Sequence, residues 1–394
     1  MDFTFTPEQD GIRESIRAIV KNFPDDYWLE KDQAHEFPWD FYRAIADAGY
    51  FGLIIPEEYG GAGLGMMEAG IVIQEIAASG AGGNGSSSFH TNMFGVTPVV
   101  KHGSEEMRRK YLPDVISGDL QVCFGVTEPD AGTDTTRITT RAVRDGDRYV
   151  INGRKVWLSK AGQSQKVLLL TRTTPLADCR KRTDGMSLFF ADLDPTAVTI
   201  RPISKMGRNA VPSNEVFFDN LSVPESDLVG EEGRGFHYLL DGLNPERIIA
   251  AFLSVGLGYA AIRRATQYAN DRTVFGRPIG QNQGIQLPLA EAYTQLYGAE
   301  VAAQRAAWLF DKGLPCGPEC NMAKYLAAEA SYKACDQAVQ THGGFGYASE
   351  YHVERYFREA RLGRIAPISS NLILAGLAEH VLGLPRSYGR SDGS

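Results

Sequence analysis

The chain has 394 residues, 43% of them apolar and 22% charged, with a formal charge of −8 at pH 7. That length accommodates two to three domains with sizeable cores, and the composition is neither that of a disordered nor of a fibrous chain. The acidic balance, without any long basic stripe, excludes general nucleic-acid binding. Apolar runs such as Val167 to Leu170 and Ile248 to Leu253 are far shorter than the ~20 residues of a membrane span, so no membrane association is expected. The opening Met-Asp-Phe-Thr-Phe has neither a basic n-region nor a continuous apolar stretch, which makes the cytoplasm the expected location. Five cysteines (Cys123, Cys179, Cys316, Cys320, Cys335) are an odd number without framework spacing. They read as free thiols, and with no second ligand pair beside Cys316 and Cys320 no metal site is expected.

In chain order, residues 1–120 carry helical periodicity: Ile12, Ile16, Ile19 and Val20 share a face, and Phe41, Ile45 and Ala48 repeat the pattern. Near the end of this all-helical region, Ser79 to Ser88 is a run of small residues that reads as a flexible loop. Residues 121–230 change character. Short runs such as Tyr149-Val150-Ile151, Val167 to Leu170 and Val216-Phe217-Phe218 alternate with Asp-Gly, Asn-Gly and Asp-Asn turns, which fits a β-barrel or sandwich. Residues 231–385 return to Ala-rich helical patterns at 246–270, 284–312, 319–341 and 369–382, whose apolar spacing suits a bundle. Residues 386–394 read as a flexible tail. The expected class is therefore α+β, in the order α, β, α.

Two polar loops in the middle region carry a chemical suggestion. Val126-Thr-Glu-Pro-Asp-Ala-Gly-Thr-Asp134 and Gly153-Arg-Lys-Val-Trp-Leu-Ser159 offer backbone N–H groups, hydroxyls and an indole together. A buried isoalloxazine needs that mixture, apolar cover on one side and hydrogen bonds to its ring edge on the other. Taken alone, the same residues are also a good turn and a core tryptophan.

These segments resemble the flavin signature of the acyl-CoA dehydrogenase family, and further matches run through the chain in order. They are the Met-Asp-Phe-x-Phe-x-x-Glu-Gln opening, Ile54 to Gly61, Lys110-Tyr-Leu-Pro113, Arg272-Thr-Val-Phe-Gly276 with Gln283, Gln340 to Tyr347, and Tyr356-Phe-Arg-Glu-Ala360. The resemblance implies an all-α amino-terminal domain, a β-barrel middle domain and a carboxy-terminal four-helix bundle. It implies bound FAD, held by Phe124, Val126, Thr127, Gly132, Thr133, Trp157, Ser159 and Ser369 and, from a neighbouring subunit, by Arg272, Phe275, Gln283, Gln340 and Gly344. It also implies an acyl-CoA substrate touched by Thr133, His90, Asn244 and Arg247, an electron-transfer flavoprotein as partner, and a homo-oligomer, dimer or tetramer.

Removing hydrogen from adjacent carbons of a thioester requires a base for the α proton. In much of the family that base is a Glu shortly after the Tyr-Phe-Arg motif, but Pro367 stands at this position. The family's isovaleryl and long-chain members carry the Glu on an earlier helix in a Leu-x-x-Glu-Arg context. Leu243-Asn-Pro-Glu-Arg247 matches it, so Glu246 is the candidate catalytic base. Pro245 is expected to kink or break the helix there, and burial to raise the Glu246 pKa. The bland reading is a surface pair between Glu246 and an Arg. Pro367 also removes the backbone N–H that the family aims at the thioester carbonyl. Altered chemistry, such as enoyl-CoA reduction or an oxygen-using reaction, and a non-catalytic FAD or acyl-CoA scaffold are the alternatives.

Overall fold

The computed structural model describes residues 4–387; the first three residues of the opening motif and residues 388–394 of the expected tail lie outside the described residues. Seven α-helices come first: α1 (Pro7–Val20), α2 (Asp25–Ala34), α3 (Trp39–Asp47), α4 (Met66–Ile76), α5 (Gly82–Phe94), α6 (Thr97–His102) and α7 (Glu105–Ser117). Local chemistry sets their ends. Thr6 Oγ1 accepts the Gln9 N–H at 3.2 Å while Gln9 Oε1 accepts the Thr6 N–H at 3.0 Å, a reciprocal cap that starts α1 with Pro7 at its first position.

The segment read as a loop is helical. Residues Ala77–Ala81 form a single π-type turn, and Gly82–Phe94 continues as α5, buried over nearly its whole length. Its glycines and serines have low helix propensity, but their small size lets neighbouring elements close around α5 on every side. Tertiary packing has overridden propensity.

The middle region is a curled seven-stranded sheet: β1 (Val122–Gly125), β2 (Arg141–Asp145), β3 (Arg148–Ser159), β4 (Lys166–Arg172), β5 (Met186–Asp192), β6 (Val198–Pro202) and β7 (Ser213–Pro224), ordered β1-β4-β2-β3-β7-β6 with β5 on β4. The two-residue period of a strand divides the side chains between two cores. Val167, Leu169, Phe189 and Ala191 join Tyr149, Ile151, Val216 and Phe218 inside the curl. Leu168, Leu170, Leu188 and Phe190 point the other way, onto Leu112 and Val115 of α7.

The last region holds α8 (Gly235–Asp271), α9 (Gln283–Asp311), α10 (Gly317–His342), α11 (Val353–Gly363) and α12 (Ser370–His380). The expected break at Pro245 is absent: α8 runs unbroken from Gly235 and starts eleven residues earlier than its apolar pattern suggests. Pro245 is itself buried, so packing on both sides offsets the hydrogen bond it cannot donate. α8 is also long and apolar enough to cross a membrane by length and composition, which the short apolar runs of the sequence concealed; 72% of its most apolar window is buried within the fold. α8 packs on α4, where Gly70 and Gly256 allow the approach. A Cβ on Gly70 would meet the Phe252 ring at 2.3 Å, and one on Gly256 the Gln74 carbonyl at 2.3 Å. One apolar core thus runs from α1–α4 through α8, α9 and α10.

Candidate active site

Glu246 projects from α8 half-buried and makes neither a hydrogen bond nor an ion pair with any described residue. Burial pushes its carboxyl up to about 7, against the opposing pull of Arg247 and Lys324. The bland alternative is thereby removed, because the adjacent Arg247 turns to Asn244 Oδ1 at 3.3 Å instead. The two residues expected to contact CoA therefore engage each other.

Lys324, on α10, went unnoticed in the sequence. Its Nζ donates to the carbonyls of Gly363 and Ile368, both at 2.6 Å, and so ties down the turn that contains Pro367. Burial lowers Lys324 to about 8. Ser369 ends the turn by accepting the Leu372 N–H at 3.2 Å, the N-cap of α12. The same lysine therefore fixes the loop and supplies positive potential to Glu246.

The two loops of the middle region meet. The Val156 N–H donates to Thr127 O at 2.9 Å, and a register shift in the β3–β7 ladder between Lys155 and Leu158 turns the chain. Trp157 sits in that shift at φ 67°, with its ring 57% exposed. Neither its indole N–H nor Thr133 has a hydrogen bond among the described residues. Phe124, Val126, Thr127 and Ser159 are half-buried along this edge, and Gly132 and Thr133 are exposed. Exposed aromatic area beside unused donors fits a flat heteroaromatic group.

Glu128 holds the loop in shape and was also passed over. It accepts the Thr139 N–H at 2.7 Å and the Thr140 N–H at 2.9 Å, and pairs with Lys155 Nζ at 2.9 Å, both side chains buried. Burial alone would raise the Glu128 carboxyl, but Lys155 and these donors outweigh it and hold it at about 2. Only an acidic residue inside a turn sequence could have signalled it.

The remaining expected cofactor residues lie elsewhere. Arg272, Gln340 and Gly344 line one open cleft of about 640 Å³ with Tyr268, His342 and Phe345, and none of the middle-region loop residues borders it. A guanidinium beside glycines suits a phosphate pair. Phe275 lies at the tip of a small hairpin, Thr273–Val274 with Arg277–Pro278, where Phe275 (φ 51°) and Gly276 (φ 76°) make the turn and the phenyl ring is 100% exposed. Neither Phe275 nor the exposed Gln283 lines the cleft. Within one chain the two halves of the expected flavin set do not meet. His90 stands on α5 with Nδ1 at 2.9 Å from Ser86 O; burial, then the nearby Arg208 and Lys160, push it down to about 3, so it is neutral at ordinary pH.

Comparison with known proteins agrees along the chain. Family profiles described as acyl-CoA dehydrogenase N-terminal, middle and C-terminal domain match residues 6–119, 123–221 and 233–382. The chain belongs to the acyl-CoA dehydrogenase family. Acyl-CoA dehydrogenase FadE12 of Mycobacterium tuberculosis is 37% identical, covering 98% of this chain and 99% of its own. The 3-(aryl)acrylate reductase of Clostridium sporogenes is 34% identical over 96% of this chain and 99% of its own. Among solved structures, a glutaryl-coenzyme A dehydrogenase in complex with glutaryl-CoA superposes with a TM-score of 0.93 at 31% identity, covering 98% of each chain. Acyl-CoA dehydrogenases are FAD-binding oxidoreductases acting on acyl-CoA.

Proposed function

We propose that this acyl-CoA dehydrogenase family member oxidises an acyl-CoA thioester to the 2,3-enoyl-CoA, with Glu246 as the base that takes the α proton. The observation that carries the reading is an unpaired carboxyl on α8, raised to about 7 by burial, so that a modest rise in pH supplies the ionised base. When bound, the flavin supplies the acceptor for the β hydride. The edge formed by Phe124, Val126, Thr127, Gly132, Thr133, Trp157 and Ser159, together with Ser369, would hold its ring system. Arg272, Phe275, Gln283, Gln340 and Gly344 of a second copy would hold its phosphate and adenosine end, since one chain keeps these sets apart. Thr133, His90, Asn244 and Arg247 are assigned to the substrate. The physiological reading adds an electron-transfer flavoprotein as acceptor, a homo-oligomer, a cytoplasmic location, and the division into regions 1–120, 121–230 and 231–385.

An anaerobic titration of the yellow protein with straight, branched and ring-bearing acyl-CoAs tests it. Bleaching of the oxidised flavin band by one class, abolished by Glu246→Gln, supports the reading. A second reading, reduction of an enoyl-CoA, is favoured by Pro367, which has no N–H for the thioester carbonyl, and by kinship with a named acrylate reductase. Product mass from the enoyl and the saturated thioester separates the two directions.

A further inference from the structure

Three cations stand in the region between α5 and the β3 end without an ion pair among the described residues. Arg208, in the turn before β7, donates from Nη1 to Ser87 Oγ at 3.0 Å and from Nη2 to Ser159 Oγ at 3.4 Å. Lys160 Nζ donates to Ser88 O at 3.1 Å and Asn92 Oδ1 at 2.7 Å and lies 5.7 Å over the Tyr42 ring. Lys205 Nζ rests on the carbonyls of Gly207 and Arg208. Every partner is neutral.

Arg208 is half-buried with its Nε enclosed, and a guanidinium placed so for stability alone is expected to have a carboxylate beside it, because desolvating an unpaired charge is costly. The charge of Glu359 favours the Arg208 guanidinium but makes no ion pair with it. Glu359 accepts from Gly83 N–H at 2.6 Å and Asn84 Nδ2 at 3.0 Å, and pairs with Arg355 at 3.6 Å. Among the described residues, four enclosed polar atoms here have no partner: Arg208 Nε, Ser86 Oγ, Thr91 Oγ1 and Asn209 Oδ1. Orphaned buried donors need an occupant. One that brings an anion would satisfy the guanidinium and the hydroxyls together, and a carboxylate matches the planar fork of Arg.

We propose that Arg208, with Ser87 beside it, anchors a carboxylate carried on the acyl group, so that the substrate class is a dicarboxylic acyl-CoA. This rests on the acyl-CoA reading above, which supplies the thioester end. The flavin-facing edge ends at Ser159, and Ser159 is one of the two hydroxyls that Arg208 holds, so the anchor adjoins the ring where the acyl carbons must lie.

The test uses FAD-loaded Glu246→Gln, so that binding is read without turnover. Dissociation constants are measured by calorimetry for α,ω-dicarboxylyl-CoAs, for the monocarboxylyl-CoAs and ω-hydroxyacyl-CoAs of equal length, and for free CoA. The expected result is at least roughly tenfold tighter binding of one dicarboxylyl-CoA than of its uncharged counterparts, the size of one charge-assisted hydrogen bond. Adding Arg208→Met should abolish that ratio, and Arg208→Lys should keep part of it. Equal affinity of charged and uncharged chains, an equally tight hydroxyacyl chain, or an Arg208→Met loss that extends equally to free CoA would overturn the anchor. Should Arg208→Met fail to fold, the ratio in the parent and in Arg208→Lys still decides. Flavin bleaching in the protein with Glu246 intact keeps the two readings apart. A tight dicarboxylyl ligand that never bleaches the flavin would sink the dehydrogenase reading and leave the anchor; bleaching by uncharged chains alone would do the reverse.

Discussion

Glu246 and Glu128 show how one residue type takes opposite settings a short distance apart in function. Glu246 has no donor and two cations at a remove, so burial wins and the carboxyl rises to about 7; turnover should therefore fall as pH drops below about 7, and Glu246→Gln should lower it by roughly 10²–10⁴. Because the folded pKa lies above the unfolded value, the ionisable group favours folding least at high pH, with the loss accruing between the ordinary carboxylate range and about 7. Glu246→Gln should thus melt higher than the parent at alkaline pH by an amount worth about 1–3 kcal/mol, and the two curves should converge in mild acid, as calorimetry at two pH values would show. Glu128 has the reverse sign. Its carboxyl is held at about 2, so its contribution is present above the ordinary carboxylate range and is lost as pH falls toward 2. Glu128→Ala strands Lys155 in the core, and a loss of about 3–5 kcal/mol is expected in denaturant unfolding.

At the scale of elements, α8 sets the geometry of the site because it carries Glu246 and lies against α4. Their contact leaves no space at Gly256, so Gly256→Ala should cost about 1–3 kcal/mol in equilibrium unfolding although alanine is the better helix former. Lys324 links α10 to the Pro367 turn and lowers the Glu246 carboxyl. Lys324→Met should consequently move the midpoint of the pH–rate profile upward, a change that simple loss of stability would not produce. Helices α9 and α10 were legible in the sequence to within about two residues, since long Ala-rich runs keep their period. α11 was read only as a motif, Tyr356 to Ala360, and α5 was missed because Gly and Ser advertise a loop while burial makes a helix of them. At Pro245 intrinsic cost predicted a kink or a break, and α8 continues through it without a break. Glu246 could be found because the Leu-x-x-Glu-Arg context is local. Arg208, Lys324 and Glu128 act across 11 to 121 positions of sequence separation, through contacts that no short pattern encodes.

For the whole molecule, the separation of the Arg272 cleft from the Trp157 edge makes a specific demand on assembly. If each flavin is completed by two copies, then Glu246→Gln and Arg272→Ala, each inactive alone, should recover partial activity when co-expressed, because some sites then draw both intact residues. Mixed oligomers isolated with two affinity tags and assayed against the single variants check this; no recovery would place all the cofactor contacts within one chain. The same distribution of residues bears on the chain before its cofactor arrives. The Trp157 ring and the Phe275 and Phe345 rings are left in water by the single subunit, and such aromatic surface is sticky. Vitamin supply then becomes a condition of solubility: a cell starved of riboflavin should accumulate this protein as aggregate or lose it to proteolysis, so that the amount of enzyme follows the amount of flavin without any dedicated regulator.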